Sequence, residues 1–484
     1  MPGAFVAIVL ITSLVIARVS MGKGRRLPGR PLDVDEGLPL PELAQSSTVF
    51  SLTALFGAYF AIASTLGLPA LLGLAVGTVL GLFFDAHWIN TRYWNNEKPE
   101  NRHFEGFLFG RLKDNGNNAV VYAFVISLVQ CAYAASELLI LRELAKQALG
   151  LKSQHATLLA IIIALIGYFY VLLGGYMALF RTDVVQLVLV SVMALVSGVV
   201  LLWHGSGVGW ISKLFPEPKF WLLPYVGPTR WLYLYHFMLA TIMGAGFMLA
   251  SPDTWKRVYQ VIKRQTGVRT RNVALIGAGA IPYLILLPFA ISLNLSSDGN
   301  VKLGFMRATS LTGNVIFTVA ALGLIASFLS SFNSALLASV HLQLIQRRTL
   351  GKATSEEPRF HVIMILAFAA IWLAFIGGLR FTTNAWLLGN FLMGPYAAIA
   401  GIQIGTRGDL SRIPRNALLW LIAIGALIWL IYFAVKYDSL MTPNKESVNT
   451  VPMGVVIFFT LALLCLMFTF FGGLIKRARP ERNT

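Results

Sequence analysis

The stretch LIASFLSSFNSALLASVH, Leu324 to His341, sets Ser327, Ser330, Ser331, Asn333, Ser334 and Ser339 in an apolar run that reads as helix. Helical spacing puts Ser327, Ser331 and Ser334 on one face, with Ser330 and Asn333 on its flank. Hydroxyls and backbone carbonyls are hard oxygen ligands, and a cluster of them suits a small alkali cation. The competing reading is helix glue, each serine bonding the carbonyl one turn back. Glu137, in CAYAASELLILREL, is the one acidic residue clearly inside an apolar span. At that depth it is a neutral acid, a water-facing group, a proton carrier or a contact for a cationic solute, unless it reaches the outer interface. Asp183, in GGYMALFRTDVVQ, opens a span from the other side, where the helix dipole alone would favour an acidic residue.

These groups need spans to hold them. Of 484 residues, 56% are hydrophobic and 12% charged, with a mean hydropathy of +0.70. Soluble domains carry about 25% charge, so the chain reads as an integral membrane protein. Apolar runs of about 20 residues, enough to cross a hydrocarbon core, recur and divide into about 13 transmembrane helices. No loop between them has the length of a soluble domain. In the first run the basic residues follow the apolar segment, so MPGAFVAIVLITSLVIARVSMGKGRR reads as an anchor with its N-terminus outside. Alternating the loops from there puts most of the 39 Lys and Arg inside, including KGRR, KRVYQVIKRQTGVRTR, QRR and KRARPER. This positive-inside bias accounts for the net charge of +18 without nucleic acid and sets the C-terminus inside. Cys131 and Cys465 both lie within apolar runs and suggest no disulfide framework. The seven histidines, scattered along the chain, lack metal-ligand spacing; His236 and His341 read as packing or interfacial residues.

Two spans carry interruptions. The second contains SLTALFGAYFAIASTLGLPALLG, with Gly57 at mid-depth and a Gly67–Pro69 turn before the third span. The seventh contains FMLATIMGAGFMLASP, with Gly244 and Gly246 at mid-depth. Lying five spans apart, they open two successive five-helix sets of opposite orientation. Paired interrupted helices point to an inverted-repeat transporter with a midplane site; close packing at small residues explains the same glycines.

At this point the sequence resembles the solute:sodium symporter family. YFYVLLGGYMALFRTDVVQLVLV is similar to the family's glycine pair followed by Thr-Asp and a glutamine. SPDTWKRVYQVIKRQT resembles the segment that follows the family's second interrupted helix, and ASFLSSFNSALLASV its serine-rich sodium helix. The resemblance extends over roughly residues 45–410. It implies an all-α LeuT-type fold, a 5+5 inverted repeat formed by spans two to eleven. Residues 1–45 would then be an N-terminal anchor and cytoplasmic loop, 46–410 the transporter core, and 411–484 two accessory helices with a basic tail. It implies a sodium (Na+) site from the backbone of Gly57, Phe60 and Gly323 with the Ser327 hydroxyl. A second ion site would use Asp183 and Ser330. Two departures stand out: Ala326 and Leu329 occupy positions where relatives offer further hydroxyls. The sugar-binding pattern is also missing, with Ala278, Ala63 and Ser64 at its aligned positions.

The expected function is sodium-coupled symport of a small polar organic solute, an amino acid, carboxylate or other nitrogenous nutrient, by alternating access. By depth, Tyr59, Ser64, Tyr133, Glu137, Gly244 and Gly246 are the candidate substrate contacts. No catalytic constellation suggests an enzyme. The expected partners are the solute and the lipid bilayer, in a plasma (inner) membrane; the sequence leaves the oligomeric state open. Proton-coupled or ion-independent transport, or sensing through a separate partner protein, are the alternatives.

Overall fold

The computed structural model describes residues 56–88, 116–148, 151–204 and 229–263, most of 272–281, 322–344 and isolated positions from 417 to 467, together with 356–381 and 385–406. The expected N-terminal anchor and cytoplasmic loop, residues 1–45, and most of 411–484 lie outside the described residues. All the regular structure described is helical. In chain order it comprises α1 (Phe56–Trp88), α2 (Gly116–Ala148), α3 (Ser153–His204), α4 (Thr229–Ala250), α5 (Pro252–Lys263), α6 (Ile325–Leu344), α7 (Glu356–Phe381) and α8 (Ala385–Thr406). Among these residues, the segments Ala123–Arg142, Ser153–Leu172, Ile325–Leu344 and Arg359–Leu379 are long and apolar enough to cross a membrane.

The surface is apolar where the helices face outward. Leu72, Val76, Leu80 and Phe84 recur every fourth residue along α1 and are all exposed, as are Val185, Val188, Val192 and Leu195 on α3 and Val362, Ile365, Leu366 and Leu373 on α7. Stripes of this size are costly in water and matched in lipid. Polar groups run the opposite way, into the interior. α6 is the clearest case: every residue from 325 to 342 is buried, so its serines face other helices on all sides.

One expectation is corrected here. The Gly67–Pro69 turn between the second and third spans is absent, and α1 runs through it as a single helix of 33 residues. Proline inside a helix forfeits one backbone hydrogen bond, and packing decides the outcome. Gly73, Gly77 and Gly81 form a seam along α1, meeting the backbone of Phe237, Thr241 and Ala245 on α4 so closely that a Cβ at any of them would collide. The register rises together in both helices, so they run parallel. Gly244 completes the seam from the α4 side against the Leu74 carbonyl.

A second glycine reverses the chain. Gly175 in α3 has φ of 55°, a left-handed conformation open to a residue without Cβ. Before it, Gly167 abuts Phe332 and Asn333 of α6; after it, Tyr176 meets His341 and Asp183 meets Ser330. The chain therefore advances along α6, turns, and returns. A hydrogen bond between the Tyr170 and Thr182 hydroxyls ties the two arms.

The α4–α5 junction is set by SPD. Ser251 ends α4, Pro252 occupies the first position of α5, where a missing N–H is harmless, and Asp253 sits in the first turn, where the dipole favours it. The Trp255 indole donates to the Leu249 carbonyl at 2.7 Å and fixes α5 against α4. Residues 251–262 are buried throughout, so Lys256 and Arg257, read in the sequence as part of a cytoplasmic basic cluster, lie in the interior.

Candidate functional site

Two polar patches meet along α6. In the first, Arg257 is the hub. Its Nη1 donates to Asp183 Oδ2 at 2.9 Å, its Nε to Asp253 Oδ2 at 2.8 Å, and its Nη2 to Ser334 Oγ at 3.3 Å. The Ser330 hydroxyl donates to the other oxygen of Asp183 at 3.0 Å. Asp253 and Arg257 are one helical turn apart on α5, the spacing that lets such pairs meet. Phe180 lies under the guanidinium at 5.2 Å, and Lys256 stands over the Tyr176 ring at 5.1 Å. Burial pushes the Asp253 carboxyl up in pKa, against the pull of the adjacent guanidinium. Arg257 moves up as well: burial alone would lower it, but Asp253 and Asp183 outweigh that.

The second patch surrounds Glu137, which is 2% exposed and lies between helices. One turn earlier on α2, the Tyr133 hydroxyl pairs with its carboxyl group and reaches Ser331 of α6. Three rings from three helices close over this point. Tyr133 meets Phe247 of α4 at 5.7 Å between centroids and Tyr396 of α8 at 6.4 Å, and Phe247 meets Tyr396 at 5.1 Å. Gln130 Nε2 donates to the Tyr396 hydroxyl at 3.5 Å. Gly246, beside Phe247, faces Ala400 of α8 with room for a methyl group, since an added Cβ would stand 3.5 Å from that side chain.

The patches differ in how well their polar atoms are matched. Among the described residues, Glu137 Oε2 and Ser327 Oγ, both amide atoms of Gln186 and Asn333, and Asp253 Oδ1 in the first patch are buried and make no hydrogen bond. Orphaned buried polar atoms are uncommon. Ser331 bonds the Ser327 carbonyl at 3.3 Å, and Ser339 that of Leu336 at 2.7 Å, as helix-packing serines do.

Of the sequence candidates, Asp183 and Ser330 are in contact, and Tyr133 and Glu137 are together. Gly323 begins the approach of the serine segment to α3, against Leu189 and Met193. Gly57, Tyr59, Phe60 and Ser64 fall on the backbone of α1, and their side chains lie outside the described residues. Ala326 and Leu329, where the resemblance implies hydroxyls, are both buried apolar residues. Sequence reasoning passed over Arg257, Asp253, Phe247 and Tyr396. The spacing DTWKR held the signal for the first pair, an acid and a base one helical turn apart. The aromatic pair carried only its flanking small residues, in MGAGF and GPYAA.

No protein-family model matches the chain, and no curated protein matches it. Solved structures do. A sodium-coupled sialic acid symporter, in a substrate-bound outward-open state, aligns with a TM-score of 0.67 at 14% identity, covering 98% of this chain and 97% of that one. Mhp1, a nucleobase-cation-symport-1 family transporter in a closed conformation with bromovinylhydantoin bound, aligns with a TM-score of 0.50 at 14% identity, covering 91% and 94%. At that identity the likeness establishes the fold. The chain is a multi-pass helical membrane protein with the LeuT-type fold of secondary transporters.

Proposed function

We propose that the protein is a secondary transporter that couples inward sodium movement to uptake of a small polar organic solute by alternating access, with residues 46–410 as its moving core. The observation that carries this reading is Ser327: a buried hydroxyl on a wholly buried helix, with no hydrogen-bond partner among the described residues. A sodium ion held by Ser327 and the carbonyls of Gly57, Phe60 and Gly323 would give that oxygen its partner. It would also pin the start of α1 against α6. Binding of ion and solute then becomes cooperative because each favours the same state. At a membrane potential of about 100 mV, each charge moved inward supplies about 2.3 kcal/mol. Asp183 and Ser330 stand as a second ion site only where Arg257 gives up its hold on Asp183, so the proposal assigns the coupling to the Ser327 site.

Tyr133 and Glu137 form the solute end of the site in this reading, with Gly246 lining its α4 side. Tyr59, Ser64 and Gly244 remain candidate contacts, although Gly244 is committed to the α1 seam in this structure. The second reading, proton coupling, is favoured by one observation: Ala326 and Leu329 leave fewer oxygens for an ion, while Glu137 is a buried acid. Uptake into proteoliposomes at fixed pH separates them. Replacing external sodium with potassium should abolish concentrative uptake; undiminished uptake removes sodium coupling.

A further inference from the structure

The Glu137 patch has an electrical character of its own. Its carboxyl group keeps one oxygen without a hydrogen bond among the described residues. Tyr133 is hydrogen-bonded to it, and no Lys, Arg or His among the described residues forms an ion pair with it. Over the same point converge Tyr133, Phe247 and Tyr396, whose ring faces carry the negative part of the aromatic quadrupole. A carboxylate and aromatic ring faces both favour positive charge, and a buried carboxylate that keeps one oxygen without a hydrogen bond and has no cation beside it among the described residues is unfavourable.

The kind of cation follows from the walls. A bare alkali ion needs oxygens on most sides, and ring faces supply none. An alkylated ammonium spreads its charge over carbon-bound hydrogens that rest on aromatic faces, while its positive centre pairs with a carboxylate. Building on the proposed transport reading, we infer that the Tyr133–Phe247–Tyr396 ring cluster with Glu137 is the solute site and that its solute carries an organic ammonium group. The rings touch one another in this structure, so the solute parts them as it enters. Phe247 and Tyr396 sit on different helices, α4 and α8, whose relative shift opens the cluster.

The test uses the purified full-length chain and matched pairs of similar shape and different charge: choline with 3,3-dimethylbutan-1-ol, and butylammonium with butan-1-ol. Binding is read by isothermal titration and by the ligand-induced shift in melting temperature. The cationic member of at least one pair should bind at least about tenfold more tightly than its neutral partner, since a desolvated cation–π contact alone is worth about thirtyfold. E137Q should remove that preference, and F247L should weaken the cation several-fold. Equal binding within every pair, no binding by any cation, or a preference that survives in E137Q overturns the inference. The comparison within each pair needs no variant, so it stands even if E137Q fails to fold. Failure of the transport reading looks different: cations bind selectively but sodium drives no uptake. Sodium-driven uptake of a neutral or anionic solute, with Glu137 titrating as a proton carrier, overturns the inference alone.

Discussion

Two patches on one buried helix hold polar groups at similar depth and use them in opposite ways. Around Arg257, each of the guanidinium's nitrogens meets an acceptor and Asp183 is bound on both oxygens, with Asp253 Oδ1 left without a hydrogen bond among the described residues. Around Ser327 and Glu137, oxygens are left without protein partners among the described residues. Buried networks with matched donors and acceptors lock helices together. Unmatched oxygens are tolerated where something else is bound for part of the cycle. In the structure α5 is fastened to α3 and α6 by charge and hydrogen bonds, while α2, α4 and α8 meet at aromatic rings.

The comparison breaks first at Arg257. R257Q leaves two carboxylates buried without a cation, and removing one partner of a buried ion pair costs about 3–5 kcal/mol. Most of the variant should be lost on heating in detergent well below the melting point of the parent, read by fluorescence-detected size exclusion. Unchanged thermal stability would mean that Arg257 is not structural, and the contrast between the patches fails.

S327A tests the other side. Its hydroxyl makes no hydrogen bond among the described residues, so stability should stay within about 0.5 kcal/mol. The sodium concentration for half-maximal uptake should rise about tenfold, equivalent to about 1.4 kcal/mol of ion binding. A stable variant with unaltered sodium dependence places the ion elsewhere.

The smallest effect sharpens the contrast by addition. Ala326 is buried next to Ser327, and A326S would add a second hydroxyl beside the proposed ion site. The half-maximal sodium concentration should fall several-fold in uptake assays, with little change in melting temperature. A rise, or loss of folding, would show that the position packs against neighbours and does not face the ion.

Part of this was legible in the sequence. The apolar runs and the serine helix follow from hydropathy and local motifs, which act over a few residues, whereas the Asp183–Ser330 pair was implied only by the family resemblance. Local rules failed at Gly67–Pro69. They predict a turn there, yet α1 continues, because the Gly73–Gly77–Gly81 seam binds it to α4, a helix far along the chain. Arg257 shows the same limit. KRVYQVIKR has the composition of a solvated basic loop, and only contact with Asp183 makes its burial favourable.

By itself the sequence determined a helical membrane protein with hydroxyls and one acid set at depth, because the cost of polar groups in hydrocarbon is written into composition and spacing. Only the tertiary structure decided which of those groups find partners. Asp183 gained an arginine from another helix, Tyr133 beside Glu137 gained rings from α4 and α8, and Ser327 gained no hydrogen bond among the described residues. Pairing between helices distant in sequence depends on how they pack, and no local pattern encodes it.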